Sequence, residues 1–256
     1  MAGGLGEIGT LSWTRRTNGI LTRRERLRYV ARAARVTVTA TPRLLGSRVG
    51  VRARRRASID EADLRPPDSK LAREAVDECG ELMPRMIIEH SYRSYFYARA
   101  LAELEGVGHD PEVLFVAAMY HDAGAMEPDL SNGGRCFTLP GAELAVQRLE
   151  AAERSREQAE AGGEAITLHI NPDVPVEQGA EQHLLHDGVL LDATGVRAWD
   201  FDSEAIELVR SRHPRLRFTQ EGGGLLKAQA KAIPGCRIAA AFRTGFGAAL
   251  LLSWRD

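Results

Sequence analysis

Val113-Leu114-Phe115-Val116-Ala117-Ala118-Met119-Tyr120 runs straight into His121-Asp122. Read as part of a helix from Pro111 to Ala123, the run is apolar all round, the mark of an element surrounded by protein. A carboxylate at the end of such an element is costly unless it is paired, because desolvating an isolated charge costs several kcal/mol even after relaxation. Something must therefore answer Asp122. An Arg or backbone amides would do so, with His121 a satisfied core imidazole, and so would a bound cation.

Working outward, apolar spacing and Pro or Gly punctuation predict helices over about Ser69–Glu78, Pro84–Glu105, Gly141–Ala161 and Glu164–His169. Further helices are expected over Val176 to Ala193, from Asp202 or Ser203 to before Pro214, and from Gln220 to Ala232. No stretch shows strand alternation paired with hairpin turns, and no repeat of fixed period occurs. The fold class is all-α. Gly222-Gly223-Gly224 reads as a turn, since the Lys-Ser/Thr ending and preceding strand of a phosphate loop are missing. No G-x-S-x-G elbow supports a serine triad.

Other helices carry polar residues that sit oddly in a core. His90, Arg93, Ser94 and Tyr97 share one side of the Pro84–Glu105 helix, because residues three, four and seven apart meet on one face. Glu164-Ala165-Ile166-Thr167-Leu168-His169 ends an apolar helix in a histidine, and Gly188-Val189-Leu190-Leu191-Asp192 ends an apolar run in a carboxylate. Asp192 has the same energetic problem as Asp122, and one divalent cation shared by both would solve it. Arg93 could hold an anionic group on a substrate, or instead form a salt bridge to a neighbouring acid. At 100° per residue His183 and His186 point away from Asp192, so both read as surface or supporting residues, although His186 could in principle serve a second metal. His109 and His213 read as exposed.

The chain of 256 residues has a formal net charge of −1, with 44% hydrophobic and 27% charged residues, which excludes wholesale disorder. The near-zero total hides an asymmetry. Residues 1–57 hold fourteen Arg against two acids, and residues 58–256 are correspondingly acidic. An acidic body is a poor docking surface for a polyanion, so no nucleic-acid partner is expected. The basic N-terminal arm, residues 1–57, contains a helix from Leu21 to Val38 whose apolar side is Leu27, Val30, Ala31, Ala34 and Val38. That arm is either docked on the body or a peripheral contact to an anionic membrane or acidic partner. A linker at Arg52–Arg56 separates it from the main domain, residues 58–256.

Cys79, Cys136 and Cys236 form no C-x-x-C pair, so neither a disulfide framework nor a thiolate zinc site is indicated, and a reducing, cytoplasmic setting is expected. The apolar stretch Thr244 to Trp254 is about half the length of a spanning helix.

The order His90, His121-Asp122, Asp192 resembles that of the HD-domain superfamily of metal-dependent hydrolases. The segments HSYRSYFYARAL, LFVAAMYHDAG, RCFTLPGAELA, EAITLHI and GVLLDATG are most similar to its cyanamide-hydratase-like subgroup. The resemblance implies a helical bundle in which His90, His121, Asp122 and Asp192 converge on zinc or iron, with His169 in or beside the centre. Two imidazoles and two carboxylates suit Zn, Fe or Mn equally. The expected activity is hydrolysis or hydration of a nitrile- or cyanamide-like small molecule by a metal-activated water, with Asp122, Arg93 and His169 as catalytic residues. The same chemistry could serve a phosphohydrolase on a nucleotide or phosphate ester, and a non-catalytic ligand-binding module is the third reading.

Overall fold

The computed structural model describes residues 6–48, 55–126 and 134–253. Twelve α-helices follow one another: α1 (Leu11–Thr17), α2 (Arg23–Arg48), α3 (Lys70–Leu82), α4 (Arg85–Glu105), α5 (Pro111–Tyr120), α6 (Thr138–Ala151), α7 (Arg156–Leu168), α8 (Ala180–Thr194), α9 (Ser203–Arg212), α10 (Phe218–Ala232), α11 (Arg237–Arg243) and α12 (Phe246–Ser253). The described residues contain no strand beyond two isolated bridges, so the fold is all-α. None of these helices is long and apolar enough to cross a membrane.

The central element is α5. Pro111 stands in its first turn, and the Asp110 carboxylate accepts from the backbone N–H groups of Glu112 and Val113. A proline and an acidic cap there cost nothing, since the first N–H groups have no helical partner. Every side chain from Val113 to Tyr120 is at most 1% exposed. Helices α3, α4, α6, α7 and α8 all pack on it. Burying a side chain of Val, Leu or Phe size contributes about 1.5–3 kcal/mol, so this run is the chief anchor of the domain.

Helix α8 lies along α4 at very close range. A Cβ on Gly188 would fall 2.2 Å from the Ser94 carbonyl oxygen, so only glycine admits this approach. The close pairing brings Asp192 opposite His90. Helix α4 ends at Gly106 and α8 at Gly195, both left-handed caps.

The expected Gly141–Ala161 helix is two helices. The chain turns at Glu153, with φ of 59°, and restarts at Ser155, whose side chain caps Gln158 in a reciprocal capping box. That S-x-x-Q signal stands in the sequence. Helix α7 then continues unbroken to Leu168, absorbing the segment expected to start at Glu164. The Gly222–Gly224 run is inside α10 rather than a turn. Histidines 109 and 213, expected to be exposed, are half-buried: His213 stacks on Tyr92 with centroids 4.6 Å apart and lies 2.8 Å from Glu89.

The basic arm folds back onto the body. Tyr29 donates its hydroxyl to the Ile170 carbonyl, Arg32 pairs with Asp173, and the Leu11 N–H donates to Glu164. Its buried face is also not the expected one. Leu27 and Val38 are 65% and 71% exposed, whereas Tyr29, Ala33, Val36 and Ala40 turn inward. Small apolar residues lie on every side of α2, so tertiary partners choose its inner face. Residues 52–54 of the expected linker lie outside the described residues.

Candidate metal centre

Four helix ends supply the site. His90 stands in the second turn of α4, His121 and Asp122 leave the end of α5, His169 caps α7, and His186 and Asp192 lie on α8. All six are buried, none more than 5% exposed.

The ring nitrogens show how the group is wired. His90 Nδ1 lies 2.6 Å from Asp192 Oδ2, and His121 Nδ1 lies 2.7 Å from the Ala118 carbonyl. His169 Nδ1 meets the Ile166 carbonyl at 2.6 Å, and His186 Nδ1 meets the His169 carbonyl at 2.9 Å. Each partner is an acceptor, so each Nδ1 donates to it, and a ring that is neutral then leaves its Nε2 with a lone pair. Yet His90 Nε2 and His121 Nε2 face each other at 3.2 Å, with Asp122 Oδ2 at 3.3 Å from the latter and 3.9 Å from the former. With both rings neutral, these are three electron-rich atoms that meet without a donor among the described residues. Only a cation or a trapped proton satisfies that arrangement.

The protonation tendencies agree. Burial alone drives the His121 imidazole toward neutrality, but the Asp122 carboxylate reverses this and raises its pKa. Burial lowers the pKa of His90, and it lowers that of His169 to about 3, helped there by His121. Burial opposes ionisation of Asp122, and the surrounding imidazoles overcome it to hold the carboxyl well below its usual range. Among the described residues Asp122 meets only imidazoles, and no Lys or Arg pairs with it. A divalent cation fits this donor set of neutral imidazole nitrogens and carboxylate oxygen, and His90, His121 and Asp122 are the group that could hold it.

Asp192 is placed differently from the expected ligand. Arg93 grips it with two hydrogen bonds, Nε to Oδ1 at 2.7 Å and Nη2 to Oδ2 at 2.9 Å, and Arg215 adds Nη1 to Oδ1 at 3.2 Å. Two guanidiniums thus answer its charge, and the argument for a cation shared with Asp122 does not apply to it. It stands behind His90, orienting that ring. Arg93 is fully buried, with its remaining donors on the His213 and Pro214 carbonyls, and it does not line the cavity described next. The salt-bridge alternative therefore describes Arg93.

A cavity of about 360 Å³ opens over the group, floored by His90, Asp122, His169 and His186. His186, expected at the surface or in support, is 3% exposed and faces this space. His183 instead pairs with Glu105 on the far side of α8. His169 stands edge-on to His121, centroids 5.0 Å apart. The sequence reading missed Phe218, which stacks on His90 at 4.1 Å, and Arg215. Gly222 is the one signal for Phe218, because a Cβ there would sit 2.8 Å from the ring. Nothing local marks Arg215.

No curated protein matches the chain. Residues 87–200 match the family model of the HD domain, an all-helical family of metal-dependent hydrolases. That span runs from the turn before His90 past Asp192, so the likeness to the HD domain covers helices α4 to α8.

Proposed function

We propose that the chain is a metal-dependent hydrolase or hydratase that adds water to a nitrile- or cyanamide-like carbon of a small molecule. The carrying observation is the convergence of His90 Nε2, His121 Nε2 and Asp122 Oδ2 at the cavity floor, with no Lys or Arg beside them among the described residues. A bound Zn or Fe ion would supply there a water acidified to a pKa of about 7 and a Lewis acid for the substrate. Asp192 fixes the His90 ring, and the Ala118 carbonyl fixes that of His121. His169 and His186 line the cavity with each Nδ1 engaged by a backbone carbonyl, which leaves Nε2 of each to meet water or to complete the ligand set. Asp122, kept ionised, accepts a hydrogen bond from the attacking water and orients it. In hydration of a nitrile the water oxygen bonds to carbon and both protons finish on nitrogen, giving an amide.

Attack on carbon is favoured over attack on phosphorus because no Lys or Arg among the described residues lines the cavity, and phosphoryl chemistry ordinarily draws on such charges. The test is metal analysis of the purified protein together with panels of nitriles, phosphomonoesters and cyclic nucleotides. Metal binding with nitrile turnover is expected. Turnover of phosphoesters alone would overturn the hydratase reading, and bound metal with no turnover in any panel would favour a ligand-binding module.

A further inference from the structure

The walls of the cavity are unlike its floor. They come from α2, α8, α10, α11 and α12, and between them Val36, Leu190, Leu226, Ile238 and Phe246 supply the surface. Four threonines also line it, and each turns its hydroxyl away into its own helix. Thr37 Oγ1 donates to the Ala33 carbonyl at 3.0 Å and Thr41 Oγ1 to that of Thr37 at 2.7 Å. Thr194 Oγ1 donates to the Leu190 carbonyl at 2.6 Å and Thr244 Oγ1 to that of Ala241 at 2.9 Å. With the hydroxyls so engaged, their methyl groups are left for the space. Tyr29 is bonded to Ile170, and Asn171 is held between the Ile8 carbonyl and Arg237. Among the described residues that line it, Asp122, on the floor, is the only charged one. One wall group keeps an unused donor: the buried indole N–H of Trp199 has no hydrogen-bond partner.

We infer that this site takes an uncharged, predominantly apolar substrate that fills the cavity and sets a single polar reacting group against the histidines of the floor. This rests on the metal-centre reading above and names its substrate class. A charged group along the walls would lose its water and find no partner, a loss these residues have nothing to offset. Size points the same way. At roughly 30 Å³ per water-sized unit, the space holds about a dozen non-hydrogen atoms. Cyanamide itself would leave most of it empty, and an alkyl or ring-bearing relative would fill it. The Trp199 N–H is available to an uncharged acceptor, such as an ether or carbonyl oxygen, part-way along such a molecule.

The experiment is titration calorimetry on the full-length, metal-loaded protein with acetonitrile, octanenitrile, octanoate and octyl phosphate, with turnover of the two nitriles measured in parallel. Each methylene buried is worth about fourfold in affinity, so octanenitrile is expected to bind at least about 100-fold more tightly than acetonitrile. It is also expected to bind more tightly than either anion of the same chain length. Ala33→Phe, which fills the α2 wall, should weaken octanenitrile at least about tenfold while leaving metal content unchanged. Equal affinity for the two nitriles, or tighter binding of octyl phosphate or octanoate, overturns the inference. Tight binding of octanenitrile without hydration upholds the ligand class and removes the catalytic reading. Hydration of both nitriles at the same KM does the reverse.

Discussion

Among the described residues two clusters hold metal-ligating side chains within reach of one another: His90, His121 and Asp122 at the cavity floor, and Glu105, His183 and Asp187 on the opposite side of α8. By residue type they are alike. In the second, Arg197 is inserted among the acids, with Nη2 2.6 Å from Glu105 Oε1, Nε 2.9 Å from Asp200 Oδ2, and Nη1 on Asp187. His183 Nε2 meets Glu105 Oε2 at 2.9 Å. The chain thus supplies its own cation there, while around Asp122 the described residues supply none. What separates a metal centre from an ion-pair network is the neutralising group, not the list of ligands.

The largest test of that contrast is His121→Ala, which should lower metal affinity more than about 100-fold, beyond the loss typical of an outer partner, and abolish turnover. Elemental analysis reads it, and Glu105→Gln in the same preparation should retain the wild-type metal content. Asp192→Asn should lower metal affinity about 10- to 100-fold by loosening His90 without removing a nitrogen, measured by competition with a chelator. Wild-type affinity in that variant would show that Asp192 neither ligates nor orients.

Arg197→Met sharpens the contrast from the other side. It should cost about 1–3 kcal/mol in urea unfolding, because Asp187 and Glu105 lose their partner. It should also create a weak, chelator-labile zinc site where the wild type has none. No added metal in a folded variant would mean that charge neutralisation does not decide between the clusters.

The smallest expected effect concerns pH. A hydrogen bond from His183 outweighs burial at Glu105 and, with Arg197, lowers its pKa from 4.5 to about 2. A depressed carboxyl contributes stability above its unfolded pKa and loses it as pH falls through the folded one. Wild-type stability should therefore decline between about pH 4.5 and pH 2 more steeply than that of Glu105→Gln, by about 1 kcal/mol after allowance for its half-exposed position. Melting temperatures across that range check it.

Much of the fold is local in origin and was legible. The run Val113–Tyr120 needs no partner to be recognised as buried, and most helix positions follow from caps and apolar spacing. The break at Glu153 was legible too, in the Ser155 capping box, but an unbroken apolar period masks a break of a few residues. The histidines of the site were recognisable as residues needing an explanation. Their roles were less so: Asp192 looks like Asp122 in sequence, and only the approach of Arg93 from α4 and of Arg215 from a later segment makes it an orienting group instead of an unanswered charge.

The sequence by itself determined an all-helical chain with buried histidines and carboxylates that demand compensation, because helix periodicity and desolvation act on neighbours along the chain. Tertiary structure alone decided which carboxylate receives a guanidinium, which face of α2 turns inward, and what surface covers the metal-binding floor. Those outcomes depend on segments far apart in the chain, such as α2 and α12 meeting at one cavity, and no spacing within a single helix encodes which of its sides another will cover.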